Sequence, residues 1–207
     1  MSAKTILTTT AQLNPQIVQD TLTGREAMEL VRDWVGSYFD VSANVRSWTP
    51  YWKEVLLHRP GNILIAFRFR LGGPVLVSQS VGWSISQAEQ ATFEQALLPF
   101  LDELGQALAQ QRIADAIQSQ YPNASRVVRD DDTILIQLQP PAPTASLGET
   151  SSQPDQIAII IHANQIISIF SRCANESAGR AAVRRFLADL QVAGVSVVKV
   201  APISSPR

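Results

Sequence analysis

The chain has 207 residues, of which 45% are hydrophobic and 17% are charged. This length and this apolar content are sufficient for a sizeable core and exclude an intrinsically disordered chain. Seventeen Lys and Arg residues face eighteen Asp and Glu residues, and the net charge is -1. The chain therefore lacks the overall positive field on which general nucleic-acid binding depends.

The cysteine and histidine content limits the available chemistry. Cys173 is the only cysteine, and His58 and His162 are the only histidines. An intramolecular disulfide and a cysteine-based zinc site are therefore excluded. The sequence contains no phosphate loop, no dinucleotide-binding glycine fingerprint, no nucleophile elbow and no zinc-protease helix. We expect no catalytic residues, no metal and no cofactor.

Two features bear on the compartment. Residues 1–12 lack the continuous apolar run of a signal peptide, and the longest apolar run, 157–161, is far shorter than the roughly 20 residues that cross a bilayer. A single cysteine also suits a reducing environment. We therefore expect no membrane span and a cytoplasmic location.

The first half of the chain reads as a helix followed by strands. Residues 23–39 carry apolar side chains at spacings of three and four, which predicts an amphipathic helix, and Thr23 with Glu26 predicts a capping box at its start. Three candidate strands, separated by turn residues, follow at 52–58, 62–71 and 75–83. Alternation in the middle strand predicts one buried face and one face that is basic at its far end.

The second half reads as a long helix, more strands and a last helix. Helical periodicity runs from Ser86 to about residue 121, and Pro99 inside it predicts a kink near 96–98 or a second helix from about 105–107. Strand patterns return at 125–129, 133–139, 156–162, 165–171 and 195–200. Residues 175–191 predict an amphipathic helix, and the proline-rich stretch 140–154 predicts a mobile, dispensable insertion within a hairpin.

These elements predict an α+β fold in which antiparallel meander sheets carry amphipathic helices on one face. Residues 1–22 are interpreted as an N-terminal extension, and residues 23–207 as a single globular domain. The order helix, strands, helix occurs twice, over 23–104 and 105–207, which predicts two half-domains of α-β-β-β-α type. This element order resembles that of type III secretion chaperone-like folds, a likeness of topology that implies the same α+β class.

The candidate binding site is an Arg-aromatic face on the first meander. Its six residues are Trp48, Trp52, His58, Arg59, Arg68 and Arg70. Arg68 and Arg70 share one side of a strand, and Arg and Trp dominate the hot spots of protein interfaces. We expect the double change Arg68→Ala with Arg70→Ala to weaken partner binding and to leave stability nearly unchanged. The alternative is an ordinary half-buried sheet with Trp in its core and Arg in solvent.

Three further groups favour structural interpretations. The acidic triplet 130–132 fits a polar hairpin turn better than a Mg²⁺ site. Cys173 fits a buried apolar position better than a nucleophile served by His162. A second basic group, offset by nearby carboxylates, surrounds the last helix and consists of Arg172, Arg180, Arg184 and Arg185.

The sequence therefore predicts a non-enzymatic protein-binding module, such as an assembly factor or a chaperone-like adaptor, whose partner is another protein. One alternative is a small-molecule, anion-binding or enzymatic domain in which His58, Arg59, Arg68 and Arg70 converge in a pocket. A second alternative is a nucleic-acid-binding module with both Arg groups in one stripe, which the net charge disfavours. A homo-oligomer is compatible with all three classes.

Overall fold

The computed structural model describes residues 5–47, 52–59, 62–70, 75–79, 85–138 and 156–205. In these residues helices and antiparallel sheets are combined, which confirms the predicted α+β class. The predicted insertion at 140–154 and the predicted site residue Trp48 lie outside the described residues.

Helices and strands alternate in blocks along the described chain. The helices are α1 (Gln16–Leu22), α2 (Arg25–Phe39), α3 (Gln87–Gln120) and α4 (Glu176–Val192). The strands are β1 (Thr5–Leu13), β2 (Ser42–Ser47), β3 (Trp52–Arg59), β4 (Asn62–Arg70), β5 (Val75–Gln79), β6 (Ser125–Val128), β7 (Ile134–Leu138), β8 (Gln156–Ile161), β9 (Ile166–Cys173) and β10 (Val197–Val200). No helix in the described part of the chain is long and apolar enough to cross a bilayer.

Two compact units share these elements. One unit comprises Met1–Ile17 and Ala109–Arg207, and the other comprises Val18–Leu108. The first contains a six-stranded sheet in the order β10-β1-β9-β8-β7-β6, and the second contains a four-stranded sheet in the order β2-β3-β4-β5. In each unit a meander of four antiparallel strands follows one helix and precedes another, where the sequence predicted three strands per half.

Helix α3 is continuous through its proline. It runs from Gln87 to Gln120 with Pro99 inside, so the predicted second helix beginning near 105–107 is wrong. A reciprocal capping box begins the helix, because the Ser86 backbone N–H donates to a carboxylate oxygen of Glu89 at 2.6 Å and the Glu89 N–H donates to the Ser86 hydroxyl. The Ser86 backbone N–H and the Ser86 hydroxyl both donate to this carboxylate, and these two bonds lower the pKa of Glu89.

Each unit has its own core. In the second unit, Val55 and Leu57 of β3 pack with α2 and with the N-terminal half of α3, where Phe93, Leu97 and Leu101 are buried. In the first unit, the inward residues of the six-stranded sheet pack against α4 and the C-terminal part of α3, with Phe186 fully buried among them. Phe93, Leu97, Leu101 and Phe186 occupy apolar positions of the helical patterns that the sequence predicts, and all four are buried.

The predicted N-terminal extension is wrong, because residues 5–13 form the interior strand β1. This strand pairs with β10 on one side and with β9 on the other. Its inward positions include Thr9 and Ala11 between Leu7 and Leu13, so the apolar alternation is weak in the sequence. The Thr9 hydroxyl is satisfied within the fold by donating to the Ala201 carbonyl at 2.7 Å.

The predicted capping box at Thr23 is also wrong. The Thr23 hydroxyl donates back to the Asp20 carbonyl at 2.7 Å, at the end of the unpredicted helix α1. Gly24 is the N-cap residue of α2 and provides no side-chain cap. Thr23 and Glu26 therefore match the sequence of a capping box, but in the fold the Thr23 side chain hydrogen-bonds at the C-terminal end of α1.

Candidate functional site

The strand register divides the predicted Arg-aromatic face into two ends. Trp52 pairs with Arg70 at one end of the β3–β4 hairpin, whereas Arg59 pairs with Asn62 at the other. His58 pairs with Ile63, seven residues before Arg70, which is about 23 Å along a strand. The register therefore places the backbone of His58 and Arg59 near one end of the hairpin and that of Arg68 and Arg70 near the other.

Arg68 is held by a carboxylate that the sequence analysis did not consider. Its Nε donates to Glu54 Oε1 at 2.8 Å, and the two residues are directly paired across β3 and β4. The Glu54 side chain is only 4% exposed, while that of Arg68 is 37% exposed. Arg68 is therefore not an unpaired charge available to a partner, because its guanidinium compensates the buried carboxylate of Glu54.

We expect Arg68→Ala to lower the free energy of unfolding by about 1–2 kcal/mol, because it leaves the Glu54 carboxylate buried without its guanidinium. This replaces the expectation that stability is unchanged. Urea unfolding of Arg68→Ala, of Glu54→Gln and of the double variant measures the coupling. The double variant should be more stable than Arg68→Ala, since no unpaired carboxylate remains. Equal stability of Arg68→Ala and the wild type would refute a stabilising role for the pair.

For the other predicted residues of this face, the structure gives the backbone position in the hairpin and, for His58, the surroundings of the side chain. Trp52, Arg59 and Arg70 have defined backbone positions in the β3–β4 hairpin. The Nε2 atom of the half-buried His58 is itself buried and has no hydrogen-bond partner among the described residues. A binding role for the face stays a prediction.

The other predicted groups are structural. Asp131 accepts hydrogen bonds from the backbone N–H and the hydroxyl of Thr133 in the β6–β7 turn, and these bonds lower its pKa. Cys173 is buried, and its thiol donates to the Thr5 carbonyl at 3.4 Å. Among the described residues, no group of three or more His, Cys, Asp and Glu side chains is placed to hold a metal ion.

A groove between α4 and β10 is the candidate site that sequence analysis missed. Its volume is 320 Å³, and its lining residues are Arg184, Leu187, Ala188, Gln191, Val197, Val198, Lys199 and Val200. The helical residues recur at three and four positions, so they form one stripe of α4, beside the buried stripe of Val183, Phe186 and Leu190. The α4–β10 groove therefore follows the edge of the sheet, between one helix and one strand.

The strand side of the α4–β10 groove is a sheet edge. In the described part of the chain, β10 pairs with β1 on one side and has no strand on the other. Val198 is 64% exposed and Val200 is 42% exposed, so the edge carries apolar side chains in solvent. An edge strand of this kind is a template for pairing with another chain.

The cations of the α4–β10 groove lack ion-pair partners. Arg184 and Lys199 line it, no Asp or Glu is among the lining residues, and neither cation pairs with a carboxylate in the described part of the chain. The predicted offsetting of the second basic group holds for Arg180, which pairs with Glu176 at 2.6 Å. The Asp189 carboxylate accepts the Tyr121 hydroxyl instead, and burial together with this bond raises the pKa of Tyr121.

The sequence contains both sides of this groove, but periodicity alone does not show that the two sides lie together. Residues 184, 187, 188 and 191 form a stripe of mixed polarity, and residues 197–200 read as an apolar strand with one lysine. Their proximity depends on the placement of β10 beside β1, at the edge of the sheet.

The chain matches no protein-family model, and no curated protein sequence matches it at a significant level.

Proposed function

We propose that this protein is a protein-binding module, of the assembly-factor or chaperone-like adaptor kind, that captures an extended segment of another polypeptide in the α4–β10 groove. The observation that carries the proposal is the unpaired edge of β10, with its exposed valines beside an apolar groove. Folded proteins usually protect such edges with charge, proline or a covering element. A partner segment would pair this edge and bury its valines.

The geometry favours this class over the two alternatives. An anion-binding or catalytic pocket on the first meander needs His58 and Arg59 beside Arg68 and Arg70, and the register separates them. A nucleic-acid-binding stripe needs cations from both Arg groups and a positive field, but Arg68 and Arg180 are each paired with a glutamate and the net charge is -1. A cytoplasmic location is part of the proposal and rests on the single cysteine, which suits a reducing compartment.

Selection from a displayed library of random dodecapeptides tests the proposal. The immobilised protein should enrich a defined set of peptides, and Ala188→Phe should abolish the enrichment, because the ring would occupy the α4–β10 groove. Ala181→Phe is the matched control, since Ala181 is also an exposed alanine of α4 but does not line the groove. Both variants should retain the melting temperature of the wild type.

Two results would overturn the proposal. One is the absence of any peptide enriched on the wild type over Ala188→Phe. The other is an equal loss of binding in Ala181→Phe, which would place the binding surface elsewhere on the molecule.

A further inference from the structure

We infer that the segment bound in the α4–β10 groove is acidic and that it joins the six-stranded sheet as an added strand along β10. This inference rests on the proposed function and specifies its ligand. It follows from the direction of the β10 backbone, from the stripe of α4 that faces the edge and from the uncompensated charge of the groove.

The backbone of Val200 is available to an incoming strand. The Ala201 N–H donates to the Thr10 carbonyl at 2.8 Å, and Lys199 pairs with Gln12 in the β1–β10 ladder. Successive residues of a strand direct their backbone groups to opposite sides. The N–H and C=O of Val200, which lies between Lys199 and Ala201, therefore point away from β1, where a further strand would donate and accept hydrogen bonds.

The α4 stripe accounts for side-chain recognition. Side chains of an added strand alternate between its two faces, so every second one would project toward the helix side of the sheet. On that side the half-buried Leu187 and Val197 provide apolar contacts, and the exposed Ala188 leaves room between them. The groove therefore suits alternate apolar side chains of an extended segment.

The charge of the groove selects the remaining side chains. Both acidic residues of α4 are engaged away from it, Glu176 by Arg180 and Asp189 by the Tyr121 hydroxyl. Arg184 of α4 and Lys199 of β10 thus have no carboxylate partner among the described residues. Lys199 pairs with Gln12, on the face of the sheet opposite the buried Ala11 and Leu13, so the two cations flank the β10 edge from its two faces. Complementary charge governs specificity and the rate of association at interface rims, so an acidic segment fits and a basic one is repelled.

The same peptide selection tests the inference when the composition of the enriched sequences is read. Wild-type protein should enrich Asp and Glu above their frequency in the library. The charge-reversed variant Arg184→Glu with Lys199→Glu should enrich Lys and Arg instead, and should weaken binding of the selected acidic peptide about tenfold in low salt. Arg185→Glu is the matched control, because it changes the charge of α4 outside the lining residues.

Strand addition is tested separately with Val200→Pro. Proline removes the outward N–H and is tolerated on an edge strand, so the melting curve should be retained and binding of the selected peptide should fall at least about tenfold. Val200→Thr keeps the N–H and the β-branched shape, so it should bind like the wild type.

Each failure has a distinct meaning. Enriched peptides that are neutral or basic would overturn the acidic ligand and leave the proposed function standing. Acidic peptides that bind Val200→Pro as tightly as the wild type would overturn strand addition. Tighter binding of a single-stranded polythymidine than of the peptide, lost in the charge-reversed variant, would overturn the polypeptide ligand. The absence of any selected peptide would remove the proposed function itself.

Discussion

Phe186→Ala is expected to lower the free energy of unfolding by about 3–5 kcal/mol, which is the usual cost of removing a fully buried aromatic ring. The Phe186 side chain is 0% exposed and belongs to the core between α4 and the six-stranded sheet, and its ring centroid lies 6.2 Å from that of Tyr121. Rigid strands on one side and the C-terminal part of α3 on the other prevent the cavity from collapsing. Urea unfolding monitored by circular dichroism measures the loss.

Phe170→Ala is the matched control for this prediction. Phe170 lies in β9, is 37% exposed and alternates with the buried Ile169, so it projects from the face of the sheet opposite the core. Its truncation should cost less than about 1 kcal/mol. A Phe186→Ala variant with the denaturant midpoint of the wild type would show that α4 does not pack on the sheet in solution.

Gly179→Ala is expected to destabilise the protein by about 2–3 kcal/mol, although alanine is the better helix former by up to about 1 kcal/mol. A Cβ at this position of α4 would lie 2.4 Å from Cys173 Sγ and 2.6 Å from Leu7 Cδ1. Both neighbours are buried in the sheet beneath the helix, so the helix or the strands must shift. Thermal unfolding and urea unfolding of the variant measure the effect.

Relief of the closest contact provides the control. Adding Cys173→Ala to Gly179→Ala removes the sulfur atom, so the double variant should regain part of the loss and show a coupling energy of about 1 kcal/mol or more. Leu7 Cδ1 is the end of a flexible side chain and can move more easily. A Gly179→Ala variant more stable than the wild type would mean that α4 does not approach β1 and β9 this closely.

Local sequence patterns predicted most of the helices and strands, because the apolar residues of most of these elements recur at helical or strand spacing. The long helix begins within a residue of its predicted start at Ser86, and the predicted last helix over 175–191 is α4, Glu176–Val192. The missed strands β1 and β2 contain few large apolar residues: β1 has three threonines in its middle, and β2 reads SANVRS. Such strands are specified by the sheet that accepts them rather than by their own composition.

The candidate site was less predictable, for a physical reason in each case. The predicted Arg-aromatic face depended on pairing across the β3–β4 hairpin, and a short connection opposing Arg59 to Asn62 necessarily sends Arg70 to the far end. Glu54 was overlooked because it follows Lys53 at the polar beginning of β3, where a charged residue is normally expected to face solvent. The α4–β10 groove depends on Val200 lying opposite Ala11, a pairing between distant parts of the chain that no local pattern encodes.

The position of β1 between β9 and β10 has a consequence for the order in which the molecule is made. Ribosomes add roughly 5–20 residues per second, so on the order of 10 seconds or more separate the emergence of Leu7 from that of Val200. During this interval β1 has neither of its neighbours, β9 and β10, to pair with. Strands β6 to β9 follow one another in the chain and can pair as they emerge. Long-range pairing of this kind is slow. The exposed edge of the six-stranded sheet is thus formed by the last strand of the sheet to leave the ribosome, and the nascent chain lacks this edge before then.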